Sequence, residues 1–364
     1  MQAPRRNPIQ EPFFLFFDEN SRKKKLFNLD LHISVIKDVE SILNIIFPDK
    51  FEITNWSLSG HNFVFGNKKA NVDIVNEETW ESIDADMIEA FYQRYKTELA
   101  HYDGFIVTHT PVFCLLFEKF NKPILCINSC RYDNPFNRTN NKEMFHYLNQ
   151  SLRRMVLEKR MLTIISNNIG DRDYLKLGTG LDSIYLPSLC LYTKATYNPH
   201  PDPKKRLGVI NYSKFVHAMF LKSILDMPAK YDWADLYKYD AIVHFPYESS
   251  TMSLFEQFSA GVPILLPTPQ FFLKTFKLTN HDFYWLPHTV PDSLRETIHD
   301  SWWLRRSDFY NEMKDQITFF NSMEELFIIV NFKRFKIPDV LFLENRKQQI
   351  LNKWKQIIQH IFYV

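Results

Sequence analysis

Residues 239–268 read YDAIVHFPYESSTMSLFEQFSAGVPILLPT, and this stretch predicts the fold. An apolar run, Ala241–Phe245, ends at Pro246, and a polar turn containing Glu248 follows. The Ser-Ser-Thr sequence after that turn opens a helix, which stops at Gly261 before a second apolar run, Pro263–Leu266. Strand, turn, helix, glycine stop and strand together are one βαβ unit of a parallel sheet.

The two acidic residues of this unit, Glu248 and Glu256, are separated by seven residues. If the helix starts near Ser250, a rotation of about 100° per residue gathers the small and polar side chains on one strip. That strip consists of Ser249, Ser253, Glu256 and Ala260. Glu256 is then expected to point toward Glu248 at the carboxyl end of the strand, which is where ligands bind in open parallel sheets. The helix N-terminus with its Ser250 and Thr251 hydroxyls suits a phosphate, and the carboxylates suit sugar hydroxyls. An ordinary solvated helix face would explain the same strip.

Length and composition limit the classes of protein to which the chain can belong. Its 364 residues can hold two domains, and a hydrophobic content of 45% with 24% charged residues is that of a soluble globular protein. The net charge of +2 does not argue for nucleic acid, and no nucleic-acid partner is expected. The eight glycines form neither a G-x-G-x-x-G nor a Walker loop, which excludes P-loop kinases and dinucleotide dehydrogenases of that type.

Features that would place the chain in a membrane or outside the cell are not found in the sequence. There is no visible signal peptide, and no apolar stretch approaches the roughly 20 residues that span a bilayer, so no transmembrane segment is expected. Three of the four cysteines lie in apolar runs and are interpreted as buried thiols in a reducing compartment. We therefore expect a cytoplasmic protein.

Along the chain, apolar runs of strand length alternate with segments of helical periodicity. Strands are predicted at Leu26–His32, Phe51–Leu58, Asn71–Val75, Gly104–Thr108, Pro123–Asn128, Leu162–Ser166, Ile184–Pro187, Leu207–Tyr212 and Ile317–Phe320. Helices are predicted at Ile33–Phe47, Glu78–Ala100, Val112–Phe120, Lys142–Arg160, Phe215–Leu225, Met323–Val330 and Asn345–Ile361. This alternation predicts an α/β protein with doubly wound parallel sheets.

The Pro-bearing stretch Thr193–Pro203 is the best linker in the sequence and divides it into two Rossmann-like domains facing a cleft. The expected limits are residues 1–195 for an acceptor-side domain and 196–340 for a donor-side domain. Residues 341–364 form a C-terminal helix whose apolar face must dock on the body and could cross back to the first domain.

Two such domains, a linker and a terminal helix resemble the layout of GT-B glycosyltransferases. Residues 239–268 resemble the E-x7-E signature of the retaining nucleotide-sugar transferases in that group. The matching residues are Pro246, Glu248, Glu256, Ala260, Gly261 and Pro263. The resemblance lies in the motif over this stretch and in the architecture alone over the rest of the chain.

On the donor side, the resemblance implies that Glu256 accepts hydrogen bonds from ribose hydroxyls and that Glu248 contacts the transferred sugar. A basic residue, either Lys214 or one in the neighbourhood of Arg206, would neutralise the diphosphate. Ser249, Ser250 and Thr251 stand where the family has glycines, and His244 and Tyr247 flank the same turn. The implied substrate is a UDP- or GDP-linked sugar, with no further cofactor, no metal, and retention at the anomeric carbon.

The acceptor, a glycan, lipid or protein, should bind at the strand ends of the first domain. The polar residues predicted there are His32, Ser34, Ser59, His61, His109 and Arg131. Retaining transfer needs no separate base, whereas an inverting enzyme would use His32 or His109. Two D-x-D pairs, Asp84 with Asp86 and Asp171 with Asp173, are interpreted as solvated acids rather than metal ligands.

The hypothesis from sequence is a metal-independent glycosyltransferase. Two alternatives stay open: a nucleotide-sugar epimerase or hydrolase of GT-B type, and a non-catalytic binding module with this fold.

Overall fold

The computed structural model describes residues 22–139, 141–200, 207–210, 232–246, 248–279, 292–298 and 300–362. Within these residues the strands, numbered β1 to β10 in chain order, are Lys24–Asp30, Phe51–Ser57, Gly104–His109, Ile124–Asn128, Leu162–Ser166, Ile184–Tyr185, Leu207–Ile210, Ala241–His244, Ile264–Pro267 and Thr318–Phe320. The α-helices, α1 to α12, are Ile33–Ile46, Ala85–Leu99, Cys114–Phe117, Phe136–Thr139, Lys142–Arg153, Ile169–Thr179, Trp233–Leu236, Met252–Ser259, Pro269–Thr279, Asp300–Leu304, Met323–Asn331 and Val340–Phe362.

The first sheet is fully parallel, with strand order β2-β1-β3-β4-β5-β6. Strand β1 lies between β2 and β3, so the chain winds outward in one direction after β1 and in the other direction from β3 onward. The gap between the carboxyl ends of β1 and β3 is therefore the switch point of this sheet. Ligands bind in the crevice at such a point in open α/β sheets.

The second sheet, with strand order β10-β9-β8-β7, is parallel as well. The predicted α/β class with two Rossmann-like parallel sheets is confirmed. The βαβ unit of residues 239–268 is found as β8, α8 and β9. Gly261 ends α8 with a φ of +79°, a left-handed conformation that only glycine adopts at little cost.

Helices cover both faces of the first sheet, as the doubly wound description requires. Phe27 and Leu29 of β1 pack into one hydrophobic core, and Leu26 of the same strand packs into the other. This alternation follows from the two-residue period of a strand, with each face of the sheet buried.

The core on the Leu26 face extends into the second lobe. Ile36 of α1, Phe255 and Phe258 of α8, and Trp354 of α12 all belong to it. The ring of Phe362, near the end of α12, lies so close to Gly104 of β3 that a Cβ there would be 2.7 Å from it. The C-terminal helix thus starts beside the second sheet and ends on the first.

Several predicted elements differ from the structure, among them Val112–Phe120, where only Cys114–Phe117 is α-helical, between two 3-10 turns. Asn71–Val75 is irregular and pairs with no described strand, because Ile74 has a φ of +74° that breaks an extended run. The long helix predicted from Glu78 starts only at Ala85, since the Asp84 side chain caps α2 by accepting a bond from the Met87 N–H. Helix α5 ends at Arg153 and continues as one π-helical turn, Arg154–Glu158.

The predicted helix Phe215–Leu225 lies outside the described residues. Among the described residues, no helix combines the length and the apolar character needed to cross a bilayer.

Candidate functional site

A cavity of about 250 Å³ lies where the carboxyl edge of the first sheet faces the turn between β8 and α8. Lining residues from the first lobe are His32, Val35, His109, Ser129, Cys130, Arg131, Asn134, Asn137, Arg138 and Asn167. Those from the second lobe are Glu248, Ser250, Thr251 and Met252. Because the cavity lies at the switch point of the first sheet and at a strand end of the second, it is the candidate site.

Two histidines form the wall of the cavity at the switch point. His32 follows β1 and His109 ends β3, and their rings are stacked with centroids 6.3 Å apart. The Nδ1 atom of each ring is buried without a hydrogen-bond partner. Burial lowers the pKa of His32 to about 4 and that of His109 to about 3. Both imidazoles are therefore neutral at physiological pH.

The backbone of His109 has a φ of +82°, a left-handed conformation that is costly for a residue with a side chain. Such strain persists only where the surrounding structure enforces it, and it is concentrated at functional sites. Here it turns the chain at the end of β3 so that the imidazole lines the cavity.

A buried arginine connects the two lobes at the cavity. The Arg131 guanidinium donates through Nη1 to Asp171 Oδ1 at 2.9 Å and through Nη2 to Glu248 Oε1. It also lies 3.9 Å from the centre of the Trp303 ring. Burial opposes its charge, but the carboxylates of Glu248 and Asp171 outweigh that cost and raise the pKa of Arg131. Arg131 is thus a fixed cation shared by two acids.

Glu248 is held by one of its two oxygens. Oε1 accepts the Arg131 bond and two bonds from Ser249, from its N–H at 2.7 Å and its hydroxyl at 3.1 Å. Burial raises the pKa of Glu248, and the Arg131 charge opposes the rise. None of these three bonds involves Oε2, so this oxygen remains for a ligand in the cavity.

The N-terminus of α8 opens on the same cavity. Thr251 is its N-cap residue, but its side chain makes no capping bond to the first turn. The first N–H groups of the helix therefore have no side-chain acceptor, and Ser250 and Thr251 both line the cavity. An uncapped helix N-terminus is a favourable position for an anion.

Glu256, predicted to share a cavity with Glu248, lies elsewhere. It accepts hydrogen bonds from the Tyr192 hydroxyl and from Trp233 Nε1 at 3.0 Å, and Phe65 packs on both of these rings. Burial raises the pKa of Glu256. The prediction that both glutamates face one cavity is wrong. It assumed a rotation of about 100° per residue from Ser249 onward, but the residues before Met252 are not helical.

The other predicted donor-side residues are separated as well. His244 is fully buried beside Gln257 and does not line the cavity, and burial lowers its pKa to about 3. Ser249 is buried and donates hydrogen bonds to Glu248. Tyr247 and Lys214 lie outside the described residues.

On the acceptor side, Arg131 joins His32 and His109 at the cavity, and the other predicted residues do not. Ser34 lies in the first turn of α1, Ser59 accepts a bond from the His61 N–H at 3.2 Å, and His61 is exposed to solvent.

Of the acids interpreted as solvated, Asp84 and Asp86 are exposed, whereas Asp171 is buried. Asp84 caps α2, and Asp171 is only 1% exposed and pairs with Arg131. Among the described residues, no group of three or more His, Cys, Asp and Glu could hold a metal ion.

Several cavity residues were not predicted. Arg138 is partly exposed and pairs with Glu81 at 3.2 Å, and its position in the polar stretch after β4 could have indicated it. Asn167 follows β5 and could have been found by the same strand-end argument. Trp303, which packs on Arg131 and does not line the cavity, carries no local signal, since its role depends on packing between segments distant in sequence.

No family model and no curated protein matches this sequence. Similar solved structures include the glycosyltransferase SnogD from Streptomyces nogalater, 10% identical with a TM-score of 0.44 over 94% of this chain and 96% of that one. The glycosyltransferase of kitacinnamycin is 8% identical with a TM-score of 0.45, over 94% of this chain and all of that one. A UDP-N-acetylglucosamine 2-epimerase from Listeria monocytogenes is 13% identical with a TM-score of 0.43, over 67% and 79%. Likenesses this distant carry no argument about function.

Proposed function

We propose that this chain is a glycosyltransferase that moves a sugar from a nucleotide diphosphate to a hydroxyl of an acceptor. One observation carries the proposal. A single cavity is lined by the neutral imidazoles of His32 and His109 from the first lobe. From the second lobe it is lined by the Glu248 carboxylate and by the uncapped N-terminus of α8. A proton acceptor, a hydroxyl-binding carboxylate and an anion site are the groups that this reaction requires.

The donor is proposed to bind from the second lobe. The N–H groups of α8 and the hydroxyls of Ser250 and Thr251 would bind the diphosphate, with Arg138 as a partly exposed cation in the cavity lining. Glu248 Oε2 would accept a hydrogen bond from a hydroxyl of the transferred sugar. Glu256 is left out of this proposal because both of its oxygens already accept hydrogen bonds. The nucleotide is proposed to be UDP or GDP.

The acceptor is proposed to bind against the first lobe, residues 1–195, with His32 as the general base. Its pKa of about 4 lies closer to a useful range than that of His109. As the bond from the anomeric carbon to the diphosphate oxygen breaks, a bond to the acceptor oxygen forms and its proton passes to the imidazole. Direct displacement of this kind inverts the anomeric carbon. The retention implied by the resemblance would need no base, and the anomeric configuration of the product distinguishes the two courses.

The first test is a thermal-shift panel of UDP- and GDP-linked sugars, followed by turnover of the stabilising donor with and without sugar, lipid and peptide acceptors. Sugar transfer requires the acceptor. Conversion or hydrolysis of the donor alone would indicate the epimerase or hydrolase, and the absence of any thermal shift would indicate a non-catalytic module. Either result contradicts the proposal.

The second test replaces the bases. His32→Asn should lower the rate at least about a hundredfold without weakening donor binding, because a positioned base contributes about 10²–10⁴-fold. Wild-type activity should stay flat from about pH 8 to about pH 5 and then fall, since the base must be neutral. His109→Asn keeps a residue tolerant of the left-handed backbone, and exposed His146→Asn is the control. Equal activity of His32→Asn and the control would remove His32 from the mechanism.

We also propose that the protein works in the cytoplasm. This is supported by four free cysteines, three of them buried.

A further inference from the structure

An exposed apolar surface lies at the far end of the second lobe. Of the twelve large hydrophobic side chains that are exposed among the described residues, six lie between residues 327 and 341. Five of these side chains form what we call the C-terminal patch: Ile328, Phe332, Ile337, Val340 and Leu341. The last four are each at least 65% exposed. Scattered apolar side chains on a surface need no explanation, whereas a concentration in one short segment marks an interaction site.

The segment that carries the patch is held in place. The Lys336 N–H donates to Thr318 Oγ1 at 2.8 Å, and the Asp339 N–H donates to Gln316 Oε1 at 2.8 Å. Both acceptors are at the start of β10, so the patch lies at the end of the second sheet opposite to the cavity. Its exposure is thus a fixed property of the lobe.

Basic side chains alternate with the apolar ones. Lys333, Arg334 and Lys336 are all exposed. The Arg334 guanidinium lies 5.2 Å from the centre of the Phe332 ring, and Lys333 pairs with Asp240 while remaining 62% exposed. The acid within the segment, Asp339, accepts a bond from the Leu341 N–H at 2.9 Å. The segment therefore exposes three basic side chains together with the apolar ones.

We infer that the C-terminal patch docks on the surface of an anionic lipid bilayer. The apolar side chains would enter the interface, and Lys333, Arg334 and Lys336 would contact the lipid phosphates and carboxylates. Lysine is depleted in protein–protein interfaces, which makes a protein partner the weaker fit to this surface. The inference is independent of the proposed function. It leaves the cavity open to solution, because the patch is at the opposite end of the sheet.

The test is co-sedimentation of the full chain with vesicles of phosphatidylcholine, with and without phosphatidylserine. Binding should be at least about tenfold tighter with phosphatidylserine and should weaken as salt is raised, because each basic side chain near the surface adds to the attraction. The triple variant Phe332→Ser, Ile337→Ser, Leu341→Ser should lose binding to both vesicles. Arg334→Glu with Lys336→Glu should lose the preference for phosphatidylserine.

Matched controls lie on the first lobe, where Phe63→Ser and Lys68→Glu change equally exposed residues and should leave binding intact. Circular dichroism and size-exclusion chromatography of each variant show that it is folded and report its oligomeric state. The inference is overturned if wild-type protein does not sediment with anionic vesicles or if the controls lose binding equally. It is also overturned if the patch variants change the oligomeric state rather than vesicle binding, which would make the patch an interface between copies.

Discussion

Arg131 is the residue on which the candidate site depends most. Its guanidinium neutralises two carboxylates from different lobes, and it is only 3% exposed. Removal of one partner from a buried ion pair is costly because the other charge stays behind without compensation. The same two ion pairs of Arg131 therefore shape the site and stabilise the fold.

Arg131→Met should lower the free energy of unfolding by about 3–5 kcal/mol, as measured by urea denaturation. Methionine fills much of the volume but leaves Asp171 buried and unpaired. Adding Asp171→Asn to this variant should restore part of the loss, because the uncompensated charge is then removed. A double variant no more stable than Arg131→Met would show that the loss comes from the unpaired Glu248 or from packing on Trp303 instead.

Asp133 gives the stability a pH dependence of defined sign. Burial raises its pKa from 3.8 to about 7, and it accepts a bond from the Tyr174 hydroxyl at 2.7 Å. Because the pKa of Asp133 is higher in the folded state than in the unfolded state, its contribution to stability is complete below the unfolded-state pKa. That contribution is lost as pH rises through the folded-state pKa.

Asp133→Asn should therefore gain stability relative to wild type as pH rises from about 4 to about 8, by an amount on the order of a few kcal/mol. The constant cost of the substitution cancels in this comparison between pH values. Urea denaturation midpoints of both proteins over the pH series measure this gain. A difference in stability between the two proteins that does not vary with pH would contradict a raised pKa for Asp133.

At the scale of elements, α8 has an N-terminus that is left without a side-chain cap. Aspartate at an N-cap both accepts the free N–H groups and favours the positive end of the helix. Thr251→Asp should thus raise the free energy of unfolding by about 1 kcal/mol. The same charge should repel a diphosphate and weaken donor binding at least about tenfold.

Ser322 is a matched control, because its hydroxyl does cap α11 by accepting a bond from the Glu325 N–H at 3.1 Å. Ser322→Ala should cost about 1 kcal/mol and leave donor affinity unchanged. Isothermal titration with the stabilising donor, together with thermal unfolding, measures both effects. Equal donor affinity in Thr251→Asp and wild type would place the diphosphate elsewhere.

At the scale of the molecule, one hydrophobic core joins the lobes through α1, α8 and α12. Two domains with separate cores can unfold independently, whereas a shared core couples them. Trp354 is a buried member of this core, and Trp354→Ala should lower the free energy of unfolding by about 3–5 kcal/mol. Exposed Lys353→Ala is the control on the same helix.

Hydrogen exchange followed by mass spectrometry tests the coupling directly. In the Trp354→Ala variant, peptides from β3 and β4 and peptides from β8 and β9 should lose protection to a similar extent. Loss confined to one sheet would mean that the lobes are independent despite the shared core.

The sequence predicted those parts of the fold that depend on local chemistry. The apolar run Ile124–Asn128 is a buried strand as predicted, and Gly261 ends its helix because it adopts a left-handed conformation cheaply. The strand prediction for Asn71–Val75 was wrong because the left-handed backbone of Ile74 breaks the extended run. The predicted direction of the Glu256 side chain was wrong because the helix begins at Met252 and not near Ser250. The Arg131 partners come from three distant segments, and no spacing rule connects them.

The partly exposed thiol in the cavity wall makes the site accessible to chemical footprinting. Cys130 accepts a hydrogen bond from Asn134 Nδ2 at 3.0 Å, and burial raises its pKa to about 12. It is thus protonated and slow to alkylate at neutral pH, while the other three cysteines are buried. Alkylation by iodoacetamide under alkaline conditions should reach Cys130 first. The degree to which a small molecule slows that modification then reports occupancy of the cavity without any assay of turnover.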